Sequence, residues 1–267
     1  RAATAGAVAA VVGAVVVGTT GSGVVAADVP AGTPSSTHAQ VRQPGDVAAF
    51  LVGDSVPYSL RTYYRTGLVD GLFVTGSTEL GCGLIPALIA VDGQQRELDP
   101  DCLPWSRRWP QEATAARPDV GVVFVGIGEQ FDHVVNGRVV RFGTPEYERH
   151  LRAELDTAAG ALGAGGRPVA VVDVACPRVP DSGLSADASI INDGDRTAWL
   201  NAAVARWAAA ADPEVAVLGL DDFLCADGYP EERDGVRLRS DGLHFTEQGA
   251  AVVWRWLGPR LIDLADR

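Results

Sequence analysis

Gly53-Asp54-Ser55 follows an apolar run, and Asp241-Gly242-Leu243-His244 stands just before the last amphipathic segment of this 267-residue chain. A serine on a tight strand-to-helix turn, with an acid and a histidine three residues apart far downstream, supplies the groups that a serine nucleophile needs. A serine hydroxyl is a weak nucleophile near neutral pH, so Ser55 requires a base, and His244 is the candidate. Asp241 would accept the other ring N–H, fix the tautomer and stabilise the imidazolium formed during attack. Oxyanion donors must be backbone N–H groups near the nucleophile: Ser55 itself, and Gly81, where the missing side chain lets the backbone approach a substrate. The chemistry this constellation implies is acyl transfer through an acyl-serine. Asp54 is expected to shape the turn rather than to titrate.

These groups need a scaffold that brings them to one edge. Val47 to Val52 reads as a central parallel strand, buried on both faces, that delivers Ser55. Pro57 suits the first turn of a helix running to about Thr66. Further strands are expected at Gly71 to Thr75, Val120 to Val125, Pro168 to Val174 and Val215 to Leu220. Helices are expected at Tyr147 to Leu162, at Asp195 to Ala211, and from an N-cap at Thr246 onward, the last with Ala250, Val253, Leu257, Leu261 and Leu264 on one stripe. The segment after Thr75 reads as rich in loops. Strands alternating with helices imply an α/β protein with a parallel sheet covered on both faces, its site beyond the carboxyl ends of the strands. Ser55, Gly81, Gly126, Cys176 and the Asp241-His244 motif all follow strands and converge there.

The formal net charge is −12, and such a surface repels phosphate backbones, so nucleic acid is not an expected partner. Residues 1–29 open on a long uncharged apolar run. It reads as a membrane segment or, alternatively, as a signal-peptide core. Arg1 in place of Met, and the absence of Met throughout, suggest a piece of a longer protein. Residues 30–45, rich in Pro, Ser, Thr and Gly, read as a linker, and residues 46–267 as one catalytic domain. Cys82, Cys102, Cys176 and Cys225 form no CxxC pair, which argues against a zinc site. An even count beyond a membrane segment favours disulfides, and of the three possible pairings the sequential one, Cys82 with Cys102 and Cys176 with Cys225, fits best; four buried free thiols are the alternative.

Gly53-Asp54-Ser55, Gly81, Gly126 and Asp241-x-x-His244 occur in the order of the four sequence blocks of the SGNH (GDSL-like) hydrolases, and the chain resembles that family from about Val47 to Leu264. More closely, it resembles the extracytoplasmic SGNH domains fused to acyltransferase-3 type membrane acyltransferases. That likeness rests on the apolar start, the linker, Gly81-Cys82-Gly83-Leu84, Cys102 with Trp105 and Trp109, and Asp241-Gly242-Leu243-His244-Phe245. The resemblance implies a flavodoxin-like three-layer α/β/α sandwich with a five-stranded, mostly parallel sheet. It also implies ester chemistry without a cofactor or metal, an acyl donor delivered by a membrane domain of the same polypeptide, and a carbohydrate acceptor outside the cytoplasm. One departure stands out: the family's third block carries Gly-x-Asn, whereas this chain has Gly126-Ile127-Gly128-Glu129. The Asn donor to the oxyanion is absent, a loss on the order of 3 kcal/mol of transition-state stabilisation, and the Gly128 N–H is the candidate substitute.

Other residues take plainer readings. His133 and His150 are expected at the surface, Glu129 and Asp132 as solvated loop carboxylates, and Trp105 and Trp109 as buried aromatics beside a disulfide loop. No Gly-x-Ser-x-Gly elbow, phosphate-binding loop or dinucleotide fingerprint is present. Two alternatives stand beside the acyltransferase/esterase reading: a secreted stand-alone esterase, and a non-catalytic glycan-binding domain.

Overall fold

The structure is a computed structural model that describes residues 41–96, 102, 105–180, 185–211 and 215–267. The apolar segment at 1–29 and most of the linker at 30–45 lie outside the described residues. Among the described residues no helix is long and apolar enough to cross a membrane.

Five strands build the central sheet: β1 (Val47–Gly53), β2 (Leu72–Thr78), β5 (Val120–Phe124), β8 (Val169–Val172) and β9 (Val215–Leu218). Their order is β2-β1-β5-β8-β9, and every pairing is parallel. Counting these five alone, that is the doubly wound 2-1-3-4-5 order, with its crevice at the carboxyl ends of the strands. Because successive residues of a strand face opposite sides, β1 splits its run between two cores. Phe50 and Val52 pack with α2 (Trp105–Ala116), α3 (Pro145–Leu162) and α5 (Gly194–Ala210). Ala49 and Leu51 pack with α1 (Ser55–Tyr63), α6 (Leu220–Cys225) and α7 (Glu247–Ala265). Helices on both faces of an all-parallel sheet make the three-layer sandwich expected from the sequence.

The insertion between β2 and β5, expected to be rich in loops, holds strands and a helix. In place of loops the chain forms β3 (Leu88–Val91), β4 (Gln94–Arg96) and α2; β3 also pairs with β6 (Asp132–Val135) of the later hairpin completed by β7 (Arg138–Val140). This antiparallel sheet, ordered β4-β3-β6-β7, is built from strands of three or four residues, too short to show a clear alternation. Helix α2 is hidden by Arg107, Arg108 and Pro110, yet Trp105, Trp109 and Ala113 recur every four residues and are its buried face. Also absent from the sequence reading are α4 (Ser185–Ile191), the short α6 and the two-residue strands β10 (Glu232–Arg233) and β11 (Val236–Arg237).

Both disulfides form with the sequential pairing: Cys82–Cys102 and Cys176–Cys225. The first ties the loop after β2 to the start of the α2 region. The second ties the loop after β8 to the end of α6.

Candidate active site

Ser55 stands at the turn where β1 becomes α1. The Asp54 side chain caps that helix, its Oδ1 accepting the Val56 N–H at 2.9 Å. At the other end of the chain, Thr246 caps α7 through the Gly249 N–H, and the Ser240 N–H donates to the His244 carbonyl at 2.9 Å. The loop between these two points is thus pinned on both sides. Its Gly242 has φ +85°, and a Cβ there would overlap the Arg178 carbonyl; the Arg178 N–H in turn donates to the Gly242 carbonyl at 2.9 Å. Only glycine permits that approach.

The result is a continuous relay. His244 Nε2 lies 2.8 Å from Ser55 Oγ, and His244 Nδ1 lies 2.6 Å from Asp241 Oδ2. With Nδ1–H donating to the carboxylate, Nε2 is the unprotonated nitrogen and accepts from the serine hydroxyl. Asp241 Oδ1 also takes the backbone N–H groups of Leu243 at 3.0 Å and His244 at 2.8 Å. Burial pushes the Asp241 pKa up, but these hydrogen bonds and the His244 ring outweigh it and hold the group at about 2. It is therefore a carboxylate at every ordinary pH. Such an arrangement can deprotonate the serine hydroxyl during attack on an acyl carbon and return the proton to a leaving group.

The expected oxyanion donors come from two loops. Gly81 sits in an exposed turn with φ +71°, two residues beyond Glu79, whose N–H donates at 2.9 Å to the carbonyl of Gly53 in the nucleophile turn. Gly128 lies in the 3-10 turn Ile127–Gln130, against Gly83 of the loop after β2. Asp54, fully buried, is bonded to the Val56 and Ile127 N–H groups and so also fastens this turn to the nucleophile. Burial raises its pKa.

Two plain readings from sequence are corrected here. Glu129 is not solvated: its exposure is 0%. Its Oε1 accepts the N–H groups of Leu84 and of Ile85, the latter at 3.2 Å, and its Oε2 accepts the Gly126 N–H at 3.0 Å. Burial, assisted by the charge of Asp54, raises its pKa to about 7. Its carboxylate occupies the space a side chain would need at Gly83, and that of Asp54 the space at Gly126. Gly128, which stands where the resembling family carries its Asn, has no side chain to donate, and its neighbour Glu129 is an acceptor turned inward. His133 is the second correction. It is 2% exposed on β6, donates from Nε2 to the Gly128 carbonyl at 3.2 Å, and has an unpartnered Nδ1; burial lowers its pKa to about 4. Asp132 and His150 are partly exposed, and Asp132 Oδ1 accepts the Phe142 N–H at 2.8 Å. Trp105 and Trp109 are buried, as expected. The burial of Glu129 and His133 was not legible because their partners are backbone groups, to which the side-chain types in the sequence hold no pointer.

The group of potential metal ligands found among the described residues, Cys176, Asp221 and Cys225, is the second disulfide beside a carboxylate that accepts the Cys176 N–H at 3.0 Å. Its sulfurs are bonded to each other, and it fits no metal ion.

The family model described as "Protein of unknown function (DUF459)" matches residues 98–258, a span that holds Asp241 and His244 but not Ser55. No curated protein matches the chain. Solved structures similar to it include a GDSL-like lipase from Bacteroides thetaiotaomicron, with a TM-score of 0.55 at 11% identity over 84% of this chain and 93% of that one. A carbohydrate acetylesterase family member from Sinorhizobium meliloti aligns with a TM-score of 0.52 at 13% identity, over 83% and 100% of the two chains. An inhibitor-bound aryl esterase from M. smegmatis gives 0.53 at 15% identity, over 82% and 99%. At these identities the likeness establishes the shared fold, the SGNH hydrolase sandwich.

Proposed function

We propose a function for this chain, which belongs to the family of proteins of unknown function DUF459: it is a serine esterase of the SGNH type that moves a short acyl group from or to a carbohydrate hydroxyl. The observation that carries this reading is the unbroken relay Ser55 Oγ, His244 Nε2, His244 Nδ1, Asp241 Oδ2, with hydrogen bonds of 2.8 and 2.6 Å.

In the proposed reaction Ser55 Oγ attacks the ester carbonyl carbon while His244 takes the hydroxyl proton, and Asp241 stabilises the resulting imidazolium. The developing oxyanion is met by backbone N–H groups of Ser55 and Gly81, with Gly128 as the third donor. The alcohol leaves with the proton from His244, and water or a sugar hydroxyl then attacks the acyl-serine by the same steps in reverse. Activities of the structural neighbours, carbohydrate acetylesterase and aryl ester hydrolysis, support short acyl esters as the substrate class. Delivery of the acyl group by a membrane acyltransferase domain of the same polypeptide belongs to this proposal, as does anchoring outside the cytoplasm. The two disulfides fit such a compartment.

Hydrolysis of p-nitrophenyl acetate and of an acetylated xylan oligomer by the wild type, Ser55→Ala and His244→Ala proteins tests the reading. Turnover by the wild type and its loss in both variants is the expected result. A correctly folded wild-type protein that turns over neither ester, with or without a sugar acceptor, would favour a glycan-binding role instead.

A further inference from the structure

A cavity of about 330 Å³ opens beside the relay, lined by Asp241, and its wall includes Arg178, Tyr229, Arg237, Arg239 and Glu231. We infer that it is a subsite for the carboxylate of an acidic sugar carried by the ester substrate, an assignment that rests on the esterase reading above.

Three arginines converge on this cavity in a protein whose net charge is −12. None of the three pairs with a carboxylate among the described residues. Arg239 is the most telling, because it is only 3% exposed and its Nη1 has no partner. Its guanidinium is held by the rings of Tyr229 and Phe245, at 5.3 and 5.2 Å, and by the Ala175 carbonyl at 3.4 Å. A buried charge kept without a carboxylate partner is costly, and an anion in the adjoining cavity would offset it. Arg178 lies over the Tyr229 ring at 5.6 Å, and Arg237 donates to the Ser240 carbonyl at 3.2 Å, so both guanidinium groups are positioned by the walls.

The lining also selects among anions. Three arginines against Glu231 and Asp241 leave one net positive charge. That balance suits a monoanion, and Glu231 repels a phosphate dianion while accepting a sugar hydroxyl. The volume lies at the lower end for small-molecule sites. The cavity adjoins the relay: Asp241 and Gly242 line it, and Asp241 is joined to Ser55 through the His244 ring. The cavity wall is anchored as well. The Cys176–Cys225 bridge fastens the loop that carries Arg178, and Asn192 clamps Val179 through both ends of its amide, at 2.8 and 2.9 Å.

The test compares kcat/KM for an acetylated methyl glucuronoside with that for the equally acetylated methyl glucoside. The wild type should favour the glucuronoside roughly tenfold, the scale of one charge-assisted hydrogen bond, through KM and in a salt-sensitive way. In Arg178→Ala/Arg237→Ala the ratio should fall to about one, while Arg178→Lys/Arg237→Lys keeps part of it. Equal values in the wild type, or a ratio the alanine pair does not change, would overturn the assignment. If no ester is turned over, the esterase reading fails first, and the subsite is judged by binding. Saturation-transfer NMR signals from glucuronate that vanish in the alanine pair then uphold an acidic-sugar site; no binding, or stronger competition by inorganic phosphate than by glucuronate, overturns it.

Discussion

Asp241 uses one carboxylate for two tasks, orienting the imidazole through Oδ2 and closing its own loop through Oδ1. Asp241→Asn preserves the shape but offers an amide N–H where a carboxylate oxygen should be. A kcat loss on the order of 10,000-fold with a small change in KM is the expected outcome of steady-state kinetics on p-nitrophenyl acetate. His133 gives a second residue-scale prediction, about stability. Its pKa is 6.5 unfolded and about 4 folded, so the folded state binds this proton less tightly. Its contribution is present above pH 6.5 and is lost as pH falls toward 4, by roughly 3 kcal/mol in all. Denaturant titrations across that range should show this fall for the wild type, and a shallower one for His133→Gln, which keeps a donor for the Gly128 carbonyl. Equal slopes would contradict the assignment.

Glu129 acts on two loops at once, since its carboxylate joins the N–H groups of Leu84 and Ile85 to that of Gly126. Removing it strands three buried donors, so Glu129→Ala should lose at least about 3 kcal/mol of stability by urea denaturation. It should also lower kcat more than it raises KM, because the loops carrying Gly81 and Gly128 lose their tie. Gly83→Ala should reproduce both effects, since its Cβ would stand 2.5 Å from Glu129 Oε1. A Gly83→Ala protein with unchanged kcat would show that the clamp does not position the donors. At this scale the legibility of the sequence divides cleanly. The five central strands and the helices α3, α5 and α7 announce themselves because both faces of the sheet are buried and the helical stripes are long. The convergence of Ser55, Asp241 and His244 was readable too, since each residue falls in a short motif at the end of such an element. The clamp was not, for its bonds reach backbone groups as far as 45 residues away in sequence. Helix α2 shows its Trp105, Trp109 and Ala113 stripe only once Pro110 is accepted inside a helix.

For the whole molecule, the two bridges fasten loops on the edge where the relay sits. With separations of 20 and 49 residues, they should stabilise the fold by roughly 3 and 4 kcal/mol in the chain-entropy picture. Cys176→Ala/Cys225→Ala should therefore lower Tm more than Cys82→Ala/Cys102→Ala, as read by calorimetry, and the reverse order would contradict this account. The first of these pairs removes the bridge that fastens the loop carrying Arg178, so it should weaken discrimination between acidic and neutral sugar esters. The catalytic expectations depend on Ser55 forming a covalent bond, and mass spectrometry of the protein after exposure to a fluorophosphonate tests that most directly. A single adduct on the peptide carrying Ser55, absent in Ser55→Ala and strongly slowed in His244→Ala, is the expected result; undiminished labelling of Ser55→Ala, or an adduct on another serine, would contradict it.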